Sequence, residues 1–181
     1  MQLQTYNPLR IDLSIGKEIE MIEFKKISEF PRGTLYNQLV DAYSFNEECK
    51  KVWDTSWKEY DNYFYDNLDI ADKYCFITVL DGEVIGHISW DPRHKPDYVE
   101  IGHNCILTKY KGKGYGHLQL EEAIRRIKEY DDLKKIIVTT NELFVPAQKN
   151  YESVGFKKIG ERENKETPFS GKYMDYEIKL K

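Results

Sequence analysis

The segment Lys111-Gly112-Lys113-Gly114-Tyr115-Gly116 constrains this chain more than any other. It separates an apolar extended run, Val99 to Leu107, from a helical pattern that begins near His117. Glycine reaches positive φ without steric cost and lets the backbone come close to a ligand. A helix start leaves N–H groups unpaired and carries the positive end of the macrodipole. A glycine-rich turn from strand to helix therefore suits a diphosphate. Two other phosphate signatures are excluded. The dinucleotide fingerprint Gly-x-Gly-x-x-Gly fails because its third glycine falls at His117 or Gln119. No Gly-Lys-Ser/Thr ending completes a Walker A loop either.

The elements around the turn follow from periodicity. Ile22 to Lys26 alternates as a first strand, and Thr34 to Ser44 carries Leu35, Leu39, Val40 and Tyr43 at helical spacing. A second helix is expected from Asn46 to Tyr65, with Val52, Trp53, Trp57, Tyr60 and Phe64 on its apolar stripe. Tyr74 to Leu80 and Glu83 to Trp90 read as strands joined by Asp81-Gly82, a strong hairpin signal. Asp91 to Asp97 is a loop, and Tyr98 to Leu107 is the third strand of the meander. Beyond the turn, Leu118, Leu120, Ala123, Ile124 and Ile127 mark an amphipathic helix ending near Tyr130. Lys135 to Thr140 is a short strand, and Pro146 opens a short helix that Gly155 closes. Phe156 to Glu161 and Tyr173 to Leu180 form a final antiparallel pair. An antiparallel meander ahead of the turn also disfavours a dinucleotide-binding βαβ unit.

Composition narrows the class. A chain of 181 residues is most simply one domain; residues 1–20 are weakly patterned and read as an extension to a domain over 21–181. With 27 basic and 31 acidic residues the net charge is −4, which argues against a nucleic-acid partner. No apolar run approaches a membrane span, and the N-terminus does not read as a signal peptide, so a cytoplasmic location is expected. Cys49, Cys75 and Cys105 are widely spaced and odd in number, which indicates neither a metal site nor a disulfide framework.

The order of elements, together with two signatures, resembles the GNAT superfamily of N-acetyltransferases. The first signature is the glycine turn, with Lys111 standing where the family usually has Gln or Arg. The second is Tyr151-Glu152-Ser153-Val154-Gly155-Phe156. The resemblance covers about residues 21–180. It implies an α/β (α+β) fold with a mixed, mostly antiparallel central sheet and helices on both faces. It also implies acetyl-CoA as the acetyl donor, no metal, and an amine acceptor, here expected to be a small molecule. A protein lysine or N-terminal acetyltransferase, or a non-catalytic acyl-CoA sensor, are the alternatives. Homodimers are common in the family.

The resemblance assigns roles residue by residue. Glu100, eleven positions before Lys111, matches a general base of one family branch; the plainer reading is an exposed strand residue or ion-pair partner. His103 is the next candidate. Tyr151 matches the family's acid, which protonates the leaving thiolate, or else is a core aromatic beside the sulfur. A backbone N–H near Ile106 and Leu107 is expected to face the thioester oxygen. Gly112, Gly114, Gly116 and His117 are expected to give backbone N–H groups to the pyrophosphate, with Lys111 and Lys113 adding charge. Phe144 stands where the family has an Asn against the pantetheine arm, and Asn141 is the nearby substitute. Trp53, Trp57, Tyr60, Tyr63, Phe64 and Tyr65, interleaved with Asp54, Glu59, Asp61 and Asp66, would suit a cationic acceptor, or would simply be an amphipathic helix with an acidic wet face.

Overall fold

A computed structural model describes residues 20–180; apart from Glu20, the expected N-terminal extension lies outside the described residues. The strands are β1 (Ile22–Lys25), β2 (Cys75–Leu80), β3 (Glu83–Asp91), β4 (Val99–Ile106), β5 (Lys135–Asn141), β6 (Lys157–Arg162) and β7 (Tyr173–Lys179). They form one sheet in the order β1-β2-β3-β4-β5-β7-β6. Every neighbouring pair is antiparallel except β4 and β5, which run parallel. That single parallel pairing joins only Val99 to Ile136 and Glu100 to Ile137. Past Glu100 the two strands splay.

Among the described residues, five α-helices cover the sheet: α1 (Thr34–Ala42), α2 (Glu47–Asp66), α3 (Leu68–Tyr74), α4 (Tyr115–Ile127) and α5 (Val145–Ser153). On one face α4 packs Leu120, Ala123, Ile124 and Ile127 against Ile88, Trp90, Val99 and Ile101. On the other, Leu35, Phe64 and Ala71 from α1, α2 and α3 cover Cys75, Ile77 and Val79 of β2. Side chains alternate between the two faces along each strand, so both must be apolar where helices cover them. All three cysteines are free and buried.

Local chemistry sets most boundaries. Asp81 and Gly82 both take positive φ, as a tight hairpin of this type requires. Asn46 caps α2, its side chain accepting from the Glu48 N–H at 3.0 Å. Helix α3 was not expected, because Asn67 separates it from α2 and seven residues are too few for a periodic signal. The Asn67 side chain donates to Tyr63 O at 2.7 Å, and its carbonyl accepts from Ile70 and Ala71. Helix α4 starts at Tyr115, three residues before Leu118 opens its apolar pattern, because Gly114 takes the N-cap position at φ 90°.

The start of α1 has no capping side chain of its own. The buried carboxylate of Asp61 on α2 supplies one from outside, accepting from the N–H groups of Gly33 at 2.9 Å and Tyr36 at 3.1 Å. Asp61→Ala should therefore cost about 0.5–2 kcal/mol, the range for losing a helix cap. The shift of the urea midpoint at constant m-value measures it.

Candidate active site

A cavity of about 910 Å³ lies on the α2 side of the splay between β4 and β5. Its walls include Trp53, Trp57 and Tyr60 from α2, Gly102, His103 and Asn104 from β4, and Thr139 to Asn141 from β5. Tyr43, Phe144 and Tyr151 complete the end nearest the splay. The loop between β6 and β7 folds over this end. Its Phe169 is buried, with its ring 4.6 Å from Trp53 and 5.6 Å from Phe144. Phe144, where an amide was expected, is thus part of an aromatic cluster with Tyr43, Trp53 and Phe169.

Tyr151 is fixed by the way α5 ends. Gly155 takes φ 100°, its N–H donates to Glu152 O at 3.1 Å, and the Phe156 N–H donates to Tyr151 O at 3.1 Å. Those two bonds form a Schellman stop, and the Tyr151 and Phe156 rings meet at 5.7 Å as its accompanying apolar contact. The spacing Tyr-x-x-x-Gly-Phe is therefore a helix terminator that also holds the phenol in place. Burial pushes the Tyr151 phenol up to about 12, and the Asn104 amide acts in the opposite direction.

Glu100 sits on the α2 face of β4 but is not among the residues that line the cavity. Burial, then the Asp91 charge, raises its carboxyl above the usual range. His103 does line the cavity, meets Tyr60 edge-on at 4.5 Å, and is pushed down to about 4 by burial. Behind it His87 is wholly buried, with Nδ1 against Gln38 Oε1 and Nε2 without a partner among the described residues. Burial, then His103, brings His87 down to about 3.

At the splay, the Leu107 N–H donates to Ile85 O at 2.8 Å and is engaged. Extended backbone alternates its donors from side to side, so the Ile106 N–H faces away from β3, toward the gap. In the glycine turn, Gly112 and Gly114 take φ 74° and 90°. Among the described residues, no protein group accepts from the N–H groups of Gly112 through Gly116. These free donors at the start of α4 fit a diphosphate. The turn itself lies outside the cavity lining, on the open side of the protein.

Three expected cofactor contacts are occupied within the protein. His117 donates its N–H to Gly114 O at 3.0 Å, and its ring contacts Ser153 Oγ at 2.8 Å and Glu121 at 3.2 Å. The Lys111 ammonium donates to Ala42 O at the end of α1, 5.0 Å from the Phe45 ring centroid, while Lys113 stays on the exposed turn. The Asn141 side chain bonds Ser170 O at 3.0 Å and the Leu143 N–H at 2.9 Å. The acidic residues of α2 also turn elsewhere. Asp54 takes Tyr36 OH and Lys58, Asp61 caps α1, and Asp66 pairs with Arg32. None of the carboxylates of α2 lines the cavity.

The family model described as acetyltransferase (GNAT) family matches residues 34–156. The chain belongs to the GNAT acetyltransferases. Among curated relatives, an N-acetylaspartate synthetase of Danio rerio is 27% identical over 122 residues, covering 59% of this chain and 42% of the relative. An N-alpha-acetyltransferase of Sulfurisphaera tokodaii is 26% identical over 107 residues, covering 54% and 64%. This GNAT chain thus spans less than two thirds of the length of either. A GNAT acetyltransferase from Elizabethkingia anophelis, solved with acetyl-CoA bound, shares its fold at a TM-score of 0.63 and 18% identity, covering 91% and 100% of the two chains. The ribosomal-protein-S18-alanine N-acetyltransferase of Escherichia coli does so at 0.64 and 16%, covering 89% and 94%.

The two neutral histidines make the GNAT domain acid-sensitive. In the unfolded chain a histidine takes a proton near 6.5, whereas His87 and His103 resist it down to about 3 and about 4. Over that interval the unfolded state binds more protons, so stability falls as pH falls. Between about pH 6.5 and 5, above most carboxylate titration, each should remove up to about 1.4 kcal/mol per unit. A urea midpoint that does not move over this range would contradict their burial as neutral rings.

Proposed function

We propose that this chain transfers the acetyl group of acetyl-CoA to the amine of a small, largely apolar molecule, by direct attack in a ternary complex. The observation that carries the reading is the aromatic cavity beside Tyr151, closed at one end by Phe169 on Trp53. An extended peptide needs an open groove, which the folded-over β6–β7 loop disfavours. The carboxylates of α2 are turned away from the cavity, and Asp91 in its wall is already paired with Arg93, which disfavours a polycation. Of the curated relatives, one is named for an N-acetylated product and one for N-alpha-acetyl transfer, which supports an amine.

In this reading the free N–H groups of Gly112 through Gly116 hold the pyrophosphate. The pantetheine arm, which carries amides, enters the splay and meets unpaired strand edges. The amine nitrogen forms a bond to the thioester carbon, whose oxygen accepts from the Ile106 N–H. The C–S bond breaks, and the thiolate takes the Tyr151 proton. Glu100 removes the ammonium proton through solvent, since it stops short of the cavity wall. His103 is a second reading for that step, favoured by its place in the wall and its neutral ring. Most of the acceleration comes from holding both substrates in register, about 7–11 kcal/mol for well-oriented reactants.

Tyr151→Phe should lower kcat by roughly a hundredfold or more while acetyl-CoA binds almost unchanged. Binding that collapses in proportion to rate would remove the acid role. Glu100→Gln should slow the reaction most at low pH, where the amine is charged and a base matters; His103→Gln giving that pattern instead would move the base. For the acceptor, phenethylamine should exceed spermidine, aspartate and a lysine-containing peptide in kcat/KM. Preference for any of those three would overturn the apolar small-molecule assignment.

A further inference from the structure

The cavity is long as well as aromatic. Trp53, Trp57, Tyr60 and Phe64 line it at spacings of four, three and four residues, which is one face of α2. At 1.5 Å per residue that face runs about 16 Å. It leads from the splay toward the loop between β3 and β4. Trp57 packs in one cluster with Cys105, Tyr60 meets the His103 ring at 4.5 Å, and Tyr63 and Tyr74 share the last stretch of wall with Arg93 and Lys95. The two ends differ. At the splay, Phe169 lies on Trp53 and closes the space. At the other end Tyr63 is 52% exposed and the Arg93 side chain 82% exposed, so the cavity opens there to solvent.

A short amine held at Tyr151 would leave most of that length unfilled. An extended chain advances 3.80 Å over three bonds, so about 16 Å takes about twelve bonds. The middle of the wall, with Trp57, Tyr60 and Ile101, carries no charge at neutral pH, because the His103 ring there is neutral. Charge enters the lining only at the open end, where Arg93 pairs with Asp91 and the Lys95 ammonium lies 4.1 Å from the Tyr130 ring centroid. We infer that the acceptor is a long, unbranched primary amine, its apolar chain of about eight to twelve carbons lying along α2. The amine meets the thioester at Tyr151 and the tail ends at the open mouth. That tail carries no ammonium, since a second cation would face Arg93 and Lys95. The inference rests on the proposed acetylation of a small apolar amine and names the kind of amine that fills the cavity. The transfer is the one given above, with an N–C bond formed and the C–S bond broken.

The test measures kcat/KM with acetyl-CoA for butylamine, hexylamine, octylamine and decylamine, all below micellar concentrations, with phenethylamine as the reference acceptor. Each buried methylene should raise kcat/KM roughly threefold to fourfold, so decylamine should exceed butylamine by roughly a hundredfold even with incomplete burial. 1,10-Diaminodecane should be a poorer acceptor than decylamine. Occupancy can also be read without turnover, because the chain's three tryptophans, Trp53, Trp57 and Trp90, all line the cavity. Decylamine should change their emission saturably, at concentrations where butylamine does not. Tyr63→Glu alters an exposed side chain at the mouth that only the longer chains reach. It should lower the decylamine-to-butylamine ratio roughly tenfold, the worth of about two methylenes. A flat or falling series, with phenethylamine acetylated, would overturn the inference and leave the amine reading standing. So would a diamine as good as decylamine, a length dependence untouched by Tyr63→Glu, or emission indifferent to decylamine. Failure to acetylate phenethylamine and every alkylamine would instead remove the amine reading, and the inference with it.

Discussion

β4 and β5 are hydrogen-bonded at two residue pairs and then diverge, and the functional features of this domain gather around that divergence. A sheet interrupted in its middle exposes backbone donors and acceptors that the fold does not satisfy itself, at a cost comparable to lost hydrogen bonds. The cost is tolerable because both strands are anchored on their outer sides, β4 by β3 and β5 by β7. The gap is thereby a built feature of the sheet, with α4 and α5 beginning at either side of it.

The helices hold the gap open at fixed width. Gln119 on α4 pins β3 and β4 together through His87 O and Cys105 O, and the Schellman stop of α5 fixes Tyr151 opposite. Asn150 adds a bond from α5 to α4, donating to Gly116 O at 3.1 Å. Rigid elements therefore hold both the phenol and the start of α4 that follows the glycine turn. Such preorganisation is what catalysis by positioning requires.

Much of this arrangement is legible in the sequence. The alternation of β1 to β4, the Asp81-Gly82 hairpin and the glycine turn are local signals, and each produced its element. The Tyr151 to Phe156 spacing is local too, because a Schellman stop is written in residues that touch within one turn. What could not be read depends on contacts distant in sequence. Asp61 looked like one of several acids on a wet helix face, yet it caps a helix 25 residues upstream. Lys111 looked like a phosphate ligand, but its ammonium reaches the end of α1, 69 residues away. The folding of Phe169 onto Trp53, which closes the cavity, has no signature in either segment.

The central claim is that the unpaired N–H groups of the glycine turn bind the diphosphate of acetyl-CoA. Calorimetric titration of the wild type with acetyl-CoA, with ATP as the control ligand, tests it most directly, alongside Gly114→Val. No atom stands within 4 Å of a Cβ at Gly114, so the added side chain crowds the ligand's space, while its φ near 90° strains the turn. The account predicts saturable binding of acetyl-CoA by the wild type, little heat with ATP, and loss of binding in a variant whose cooperative unfolding persists. No binding by the wild type at millimolar acetyl-CoA, or undiminished binding by Gly114→Val, would contradict it.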